Sequence, residues 1–182
     1  MEQITSKDIC LKCRTCCIFD KKDSYFAPIF TPNEKEGVDK LNLDFSYSFT
    51  KKGNIWQIML EDYGEMTKCP FLDTKTWLCR IYESRPFDCK IFPYILMWDE
   101  KEENVTLGCF NGECPGLGIT DEKARTDYRR RLLNEFETKE AEDLLINFPE
   151  LIWKKEQYFT EDKKMHRITK LLKDTKTNNA LS

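Results

Sequence analysis

Cysteine is the residue that most constrains this chain, because nine cysteines stand against one histidine in 182 residues. All nine lie between Cys10 and Cys114. An odd number cannot close a disulfide framework, and a disulfide between the adjacent Cys16 and Cys17 would be strained. The first eight residues carry no apolar signal-peptide core, so the cytoplasm and reduced thiols are expected. Clustered cysteines in such a compartment predict metal binding.

The first three cysteines form a loop with a recognisable spacing. Two residues separate Cys10 from Cys13, and two more separate Cys13 from Cys16. This spacing lets one loop present three thiolates to the corners of an iron–sulfur cubane. Bacterial ferredoxins place their next cysteine three residues later, whereas Cys17 follows directly here. Because neighbouring side chains on an irregular loop are expected to diverge, Cys17 predicts a second metal or an exchange of ligands.

Zinc is the alternative metal. Zinc modules usually pair two C-x2-C knuckles, or one knuckle with two histidines, around a tetrahedral ion. The sequence has no separate second knuckle, and its histidine, His166, lies in the cysteine-free C-terminal part. The spacing therefore favours an iron–sulfur site and leaves an all-thiolate zinc site open.

Short strands and one short helix are predicted around the cysteines. The sequence Thr31-Pro32-Asn33-Glu34 has the form of a capping box at the start of a helix that ends near Leu41. Residues 45–50 and 55–60 predict a hairpin. Further strands are predicted at residues 77–82, 94–98 and 105–107, the last two paired across an acidic turn.

The pattern becomes helical after residue 118. A stripe of apolar residues every four positions predicts a long helix from Thr120 that stops near Phe148-Pro149. Two further helical pieces are predicted at residues 151–153 and 165–172. The fold is expected to be α+β. Residues 1–118 would form an irregular, metal-centred cysteine domain with short antiparallel strands, and residues 119–182 a helical C-terminal region with a frayed tail.

The ordered cysteine motifs resemble the YkgJ-type cysteine-cluster family over roughly residues 8–118. The motifs are Cys10-x2-Cys13-x2-Cys16-Cys17, Cys69-Pro70-Phe71-Leu72, Cys79 through Arg85-Pro86 to Cys89, and Cys114-Pro115-Gly116-Leu117-Gly118. The resemblance implies zinc or iron chelation by a shared set of eight ligands: Cys10, Cys13, Cys16, Cys17, Cys69, Cys79, Cys89 and Cys114. Cys109 is extra to that set.

Three functions follow as hypotheses. The first is an iron–sulfur protein, of the [4Fe-4S] type with one or two centres, in electron transfer, redox sensing or support of a partner enzyme. The second is a structural zinc module for protein interaction. The third is a protein-modifying enzyme, since flagellin lysine N-methylase carries a similar cysteine domain, although no glycine-rich methyl-donor loop is visible here.

Charge and the side chains near the cysteines add two expectations. Arg80, Arg85 and Lys90 are expected to offset thiolate charge, and an apolar shell is expected from Tyr82, Phe87, Phe92 and Tyr94. A net charge of −3 gives no global attraction to nucleic acid or to anionic membranes. A partner protein is expected, and the basic segment 154–176 favours a solvated helix face over a contact with an acidic partner or RNA.

Overall fold

The computed structural model describes Cys13 and residues 16–110, 122–154 and 159–179. The chain divides into two compact units, Met1–Lys90 and Ile91–Ser182. Short antiparallel strands and helices occur together, which confirms the predicted α+β class. The predicted division near Gly118 falls in residues 111–121, outside the described residues, and stays a prediction.

The first unit contains two small antiparallel sheets. Their strands are β1 (Ile18–Phe19), β2 (Ile29–Phe30), β3 (Phe49–Lys52), β4 (Ile55–Ile58), β5 (Glu61–Tyr63) and β6 (Met66–Lys68). The strand orders are β1-β6-β5 and β2-β4-β3. The predicted hairpin is confirmed as β3 and β4, joined at Gly53, whose φ of 60° suits a tight turn. An apolar core that includes Phe30, Val38 and Phe71 lies between these elements.

Helix α1 (Pro32–Asp39) begins as its capping box predicts. The Thr31 hydroxyl accepts a hydrogen bond from the Glu34 N–H, and the Glu34 carboxylate accepts one from the Thr31 N–H. The helix ends two residues before the predicted Leu41, with Lys40 as its C-cap.

The strand predicted at residues 77–82 is wrong. Only a single bridge between Leu72 and Cys79 forms there, followed by a 3-10 turn at Tyr82–Ser84. The Asp73 carboxylate accepts hydrogen bonds from the N–H groups of Lys75 and Thr76, which folds the preceding segment into a turn. A side chain that binds nearby backbone in this way competes with strand pairing.

The second unit combines one sheet with helices. Its strands β7 (Tyr94–Trp98), β8 (Val105–Phe110) and β9 (Phe159–Lys164) lie in the order β7-β8-β9. Helix α2 (Phe87–Ile91) comes before β7 in the chain, and all but its last residue belong to the first unit. The predicted pairing of β7 with β8 is confirmed. Strand β9 was not predicted, because its sequence is polar after Phe159 and lacks apolar alternation.

The single long helix predicted after Thr120 is wrong, and Thr120 itself lies outside the described residues. Two helices, α3 (Glu122–Glu135) and α4 (Lys139–Asn147), take its place. Thr138 breaks the helical run because its hydroxyl accepts from the Ala141 N–H and caps α4. The predicted stop at Phe148-Pro149 is confirmed by the end of α4.

Of the two helical pieces predicted near the C-terminus, only the second is confirmed. A 3-10 turn covers Pro149–Leu151, and Trp153 bridges to Met97 of β7, so the piece at residues 151–153 is wrong for most of its length. The piece at residues 165–172 is confirmed within α5 (His166–Asn179). None of the helices in the described ranges has the length and apolar character needed to cross a bilayer.

The capping box gives a stability prediction for Thr31→Ala. Loss of the hydroxyl cap should lower the free energy of unfolding by about 1 kcal/mol, measured by urea denaturation. Thr50→Ala, at an exposed position on the edge strand β3, is the control and should change it by less than about 0.5 kcal/mol. Equal effects of the two substitutions would contradict a specific capping role.

The acidic turn between β7 and β8 gives a pH prediction. Hydrogen bonds from the Asn104 side chain (2.7 Å) and the Glu103 N–H (2.8 Å) lower the pKa of Asp99 to about 2. The pKa of an aspartate in the unfolded chain is about 3.9, above the folded-state pKa of Asp99. The ionised Asp99 therefore stabilises the fold above about pH 4, and this stabilisation is lost as the pH falls through about 2.

Carboxyl ¹³C NMR titration should therefore place the Asp99 midpoint near 2. Asn104→Ala should raise that midpoint, since it removes the strongest hydrogen bond, and Asn147→Ala, at the exposed end of α4, should not. An Asp99 midpoint near the unfolded value in the native protein would contradict the turn geometry.

Candidate metal centre

Six of the predicted ligand thiols line one cavity in the first unit. The cavity measures about 40 Å³, more than the ~10–15 Å³ that holds one water molecule. Its cysteines are Cys13, Cys16, Cys17, Cys69, Cys79 and Cys89. The predicted ligands Cys10 and Cys114 lie outside the described residues. Cys109 lies on β8 of the second unit, where its thiol contacts the Phe110 carbonyl oxygen at 3.8 Å.

Strand pairing brings Cys17 and Cys69 together across 52 positions of sequence. Cys17 directly precedes β1 and Cys69 directly follows β6, and these two strands pair antiparallel. The ladder continues past the strand ends, since the Cys69 N–H donates to the Cys17 carbonyl at 2.9 Å. The sheet therefore fixes the separation of two predicted ligands that the sequence places far apart.

Cys79 and Cys89 reach the cavity from irregular structure. Cys79 pairs with Leu72, whose N–H in turn donates to the Cys69 carbonyl at 3.0 Å. Cys89 lies in the five-residue helix α2, which begins after Pro86. These two cysteines depend on turns and a very short helix rather than on a sheet.

The side chains of Cys16 and Cys17 face the same space. Their Sγ atoms are 4.0 Å apart, and both line the cavity. The expectation that these neighbouring side chains diverge is therefore wrong. The irregular backbone before β1 turns in a way that brings the two thiols together, and spacing alone could not predict it.

The rest of the cavity wall is mostly apolar. It consists of Pro28, Phe30, Phe71, Leu72, Trp77, Ile81, Tyr82 and Pro86, with Arg85 as its one charged residue among those described. Phe71 is buried at the centre of an aromatic group, with ring centroids 6.1 Å from Phe30 and 5.0 Å from Tyr47. An apolar wall of this kind limits the access of water to a bound metal.

The predicted apolar shell is correct in part. Tyr82 lines the cavity, Phe87 is not among its lining residues, and Phe92 and Tyr94 belong to the second unit. Phe30, Phe71 and Trp77 were missed, since Phe30 and Trp77 lie in segments without a cysteine motif. Phe71 had a signal in the sequence, because it follows Cys69-Pro70.

Trp77 adopts an unusual backbone conformation at the cavity. Its φ of 60° is in the left-handed region, which a bulky side chain rarely occupies. Its N–H donates to the Asp73 carbonyl at 2.7 Å, and its ring packs edge-on against Tyr63 with centroids 6.2 Å apart. These contacts hold Trp77 in the wall of the cavity.

Desolvation and mutual contact keep the buried thiols protonated. The hydrogen bond with Cys17, followed by burial, raises the pKa of Cys16 well above its ordinary value. Burial raises the pKa of Cys69 and of Cys89 in the same direction. A bound cation reverses this balance, because thiolates are the metal-binding form and metal binding releases their protons.

Of the basic side chains predicted to lie near the thiols, Arg85 lines the cavity and Arg80 does not. The Arg85 guanidinium stacks 3.7 Å above the Tyr82 ring, its Nε donates to the Tyr82 carbonyl at 2.7 Å, and its charge opposes the rise in the Cys16 pKa. Arg80 instead pairs with Asp44 and Asp73, away from the cavity wall. Arg85 thus has the charge-compensating position expected from the sequence, and Arg80 does not.

The donor set suits a soft metal. Among the described residues that line the cavity, the donors are all cysteine sulfurs, with no histidine or carboxylate. Thiolate sites favour zinc, iron–sulfur clusters or Cu(I) over hard cations. In the described part of the chain, no three side chains of Cys, His, Asp or Glu are grouped closely enough to hold one ion, so the thiols share a cavity without surrounding a common ion position.

Comparison with known proteins agrees with this donor set. Residues 9–115 match the CxxCxxCC family, described as "Putative zinc- or iron-chelating domain". A relative in Methanocaldococcus jannaschii, "Uncharacterized protein MJ0661", is 28% identical over 122 residues. The match covers 65% of this chain and 63% of the relative, so the chain spans less than two thirds of that protein's length.

No solved structure matches the chain. The matched residues include all nine cysteines and the cavity wall, and they make up more than half of the sequence. This protein belongs to the CxxCxxCC family of zinc- or iron-chelating domains.

Proposed function

We propose that this protein binds an iron–sulfur cluster of the [4Fe-4S] type through the cysteines of the six-thiol cavity. The observation that carries the proposal is the convergence of six thiols on one apolar cavity. A single tetrahedral zinc ion takes four ligands, so six thiols exceed what it can use. A cluster binds one cysteine at each of several irons and can accept thiolates that do not share one ion.

The ligand count also allows two centres. Cys10 precedes Cys13 by three positions in the sequence, and with Cys114 it raises the family set to eight. Eight thiolates are the number that two four-thiolate centres require. We propose one or two centres and assign Cys10, Cys13 and Cys16 to the same one on the basis of their spacing.

The surroundings of the thiols are consistent with a role in redox chemistry or in support of a partner enzyme. When bound, an iron–sulfur cluster supplies one-electron chemistry at a potential set by its charge, hydrogen bonds and solvent exposure. Phe30 and Phe71 keep water from the thiols, and the Arg85 guanidinium offsets thiolate charge. We propose electron transfer, redox sensing or support of a partner enzyme, with a partner protein and a reducing compartment such as the cytoplasm.

One observation favours structural zinc as the second candidate. A tetrahedral zinc ion with Zn–S bonds of about 2.3 Å holds its thiolates about 3.8 Å apart. The Sγ atoms of Cys16 and Cys17 are 4.0 Å apart, which fits two ligands of one such ion. In that case the protein would be colourless and would lose structure on treatment with a chelator.

Metal analysis separates the two candidates. After anaerobic purification, an iron–sulfur protein should contain iron and acid-labile sulfide in equal amounts, and its brown colour should bleach on reduction. Samples prepared from iron-supplemented and zinc-supplemented cultures should both retain iron. Stoichiometric zinc without sulfide in both samples would overturn the cluster and support the structural zinc module.

Replacement of single cysteines tests the site. Cys69→Ser should lower the bound metal several-fold, because Cys69 is buried in the cavity wall. Cys109→Ser is the matched control and should retain wild-type metal content, since Cys109 lies on β8 and outside the cavity. Circular dichroism should show that both variants fold.

The cysteine assignment would be contradicted by either of two results. One is full metal content in folded Cys69→Ser. The other is loss of metal in Cys109→Ser, which would place the extra cysteine among the ligands.

A further inference from the structure

Glu34 does more than cap its own helix. One carboxylate oxygen, Oε2, accepts hydrogen bonds from the Thr31 N–H and hydroxyl, both at 2.9 Å. The other oxygen, Oε1, accepts the Phe87 N–H at 2.8 Å, 53 positions further along the chain. A single side chain therefore joins the start of α1 to the start of α2.

Helix α2 needs such an external contact. It has five residues, Phe87–Ile91, which is too short for a helix to be stable by itself. The first N–H groups of a helix have no partner within it. Glu34 provides that partner at Phe87, the first residue of α2, and Phe87 is 9% exposed.

Cys89 lies two residues after this contact. Its N–H donates to Asp88 Oδ1 at 2.8 Å, while Asp88 Oδ2 accepts the Ile29 N–H at 3.2 Å. The helix that presents Cys89 is thus tied at two points to the segment from Ile29 to Glu34.

We propose that Glu34 is a positioning residue for the metal ligand Cys89, an inference that rests on metal binding by the six-thiol cavity. The bond between Glu34 and Phe87 sets where α2 begins, and the start of α2 sets where the Cys89 thiol lies. Residues that orient a ligand without touching the metal typically contribute 10–100-fold to metal affinity.

Glu34→Gln is the informative variant. The amide keeps the length of the side chain but has one acceptor oxygen. Because the carboxylate accepts two hydrogen bonds at Thr31 and one at Phe87, we expect the amide oxygen to face Thr31 and its NH₂ group, which cannot accept, to face the Phe87 N–H. Thr31→Ala weakens the α1 cap and leaves the carboxylate available to Phe87. Glu36→Gln, on the exposed side of α1 where Glu36 pairs with Lys40, controls for the change of charge.

Metal-free full-length protein would be titrated with Co²⁺ under anaerobic conditions. Thiolate-to-cobalt absorption reports the number of bound cysteines, and competition with a chelator reports affinity. Glu34→Gln should weaken Co²⁺ binding about tenfold and reduce the absorption to the level of Cys89→Ser. Thr31→Ala and Glu36→Gln should match the wild type.

A double variant identifies the residue through which Glu34 acts. If Glu34 positions Cys89, Glu34→Gln should cause no further loss of affinity in a Cys89→Ser background. Mass spectrometry of the metal-free proteins, after brief alkylation, should show a faster reaction in Glu34→Gln at Cys89 and an unchanged rate at Cys69. A general loss of structure would accelerate both cysteines.

Several results would overturn the proposal. These are wild-type Co²⁺ binding by Glu34→Gln, an equal loss in Thr31→Ala, additive losses in the double variant, or faster alkylation at both cysteines. If the wild-type protein gave no thiolate-to-cobalt absorption and also contained neither iron nor zinc as purified, metal binding by the cavity would fail, and the positioning role with it. A normal wild-type signal with an unaffected Glu34→Gln would reject the positioning role alone.

Discussion

The convergence of six thiols on one apolar cavity is the constraint on which the first unit depends. The hydrogen bond with Cys17, followed by burial, raises the pKa of Cys16, and burial raises the pKa values of Cys17, Cys69 and Cys89. These four thiols therefore stay neutral unless a cation is present. The backbone holds the six thiols around one cavity. Pairing of β1 with β6 does this for Cys17 and Cys69, and the aromatic group around Phe71 fills the space behind them.

Carboxylates organise the segments that the sheets do not. Glu34 and Asp88 anchor α2, Asp73 folds the turn that presents Trp77, and Asp99 closes the turn between β7 and β8. In each case a carboxylate oxygen accepts backbone N–H groups that have no strand or helix partner. Such bonds are strong where the acceptor is charged, and they allow irregular loops to take one conformation.

The family match extends beyond the first compact unit. It covers residues 9–115, whereas the first unit ends at Lys90, so the hairpin of β7 and β8 lies within the family region. Cys109 lies on this hairpin, and the predicted ligand Cys114 follows it in sequence. The eight predicted ligands are therefore divided between two units of the chain, with the described six all in the first.

Local chemistry determined much of this protein from sequence alone. The capping box of α1, the β3–β4 hairpin, the pairing of β7 with β8 and the stop at Phe148-Pro149 each depend on neighbouring residues, and each was predicted. Cysteine number and spacing likewise indicated metal binding, because clustered cysteine sulfurs are soft ligands that favour metals such as zinc and iron. Two errors, the strand at residues 77–82 and the single long helix, arose where a side chain binds backbone nearby, as Asp73 does after Cys69 and Thr138 does between α3 and α4.

Only the tertiary structure decided which thiols meet. The 4.0 Å approach of Cys16 to Cys17 results from a backbone turn, and the convergence of Cys69, Cys79 and Cys89 results from strand pairing and two carboxylate contacts. The strand pairing and the carboxylate contacts join residues tens of positions apart, and local spacing carries no information about them. The sequence thus determined that the chain binds metal through cysteine, and the fold decided how those cysteines are brought to one cavity.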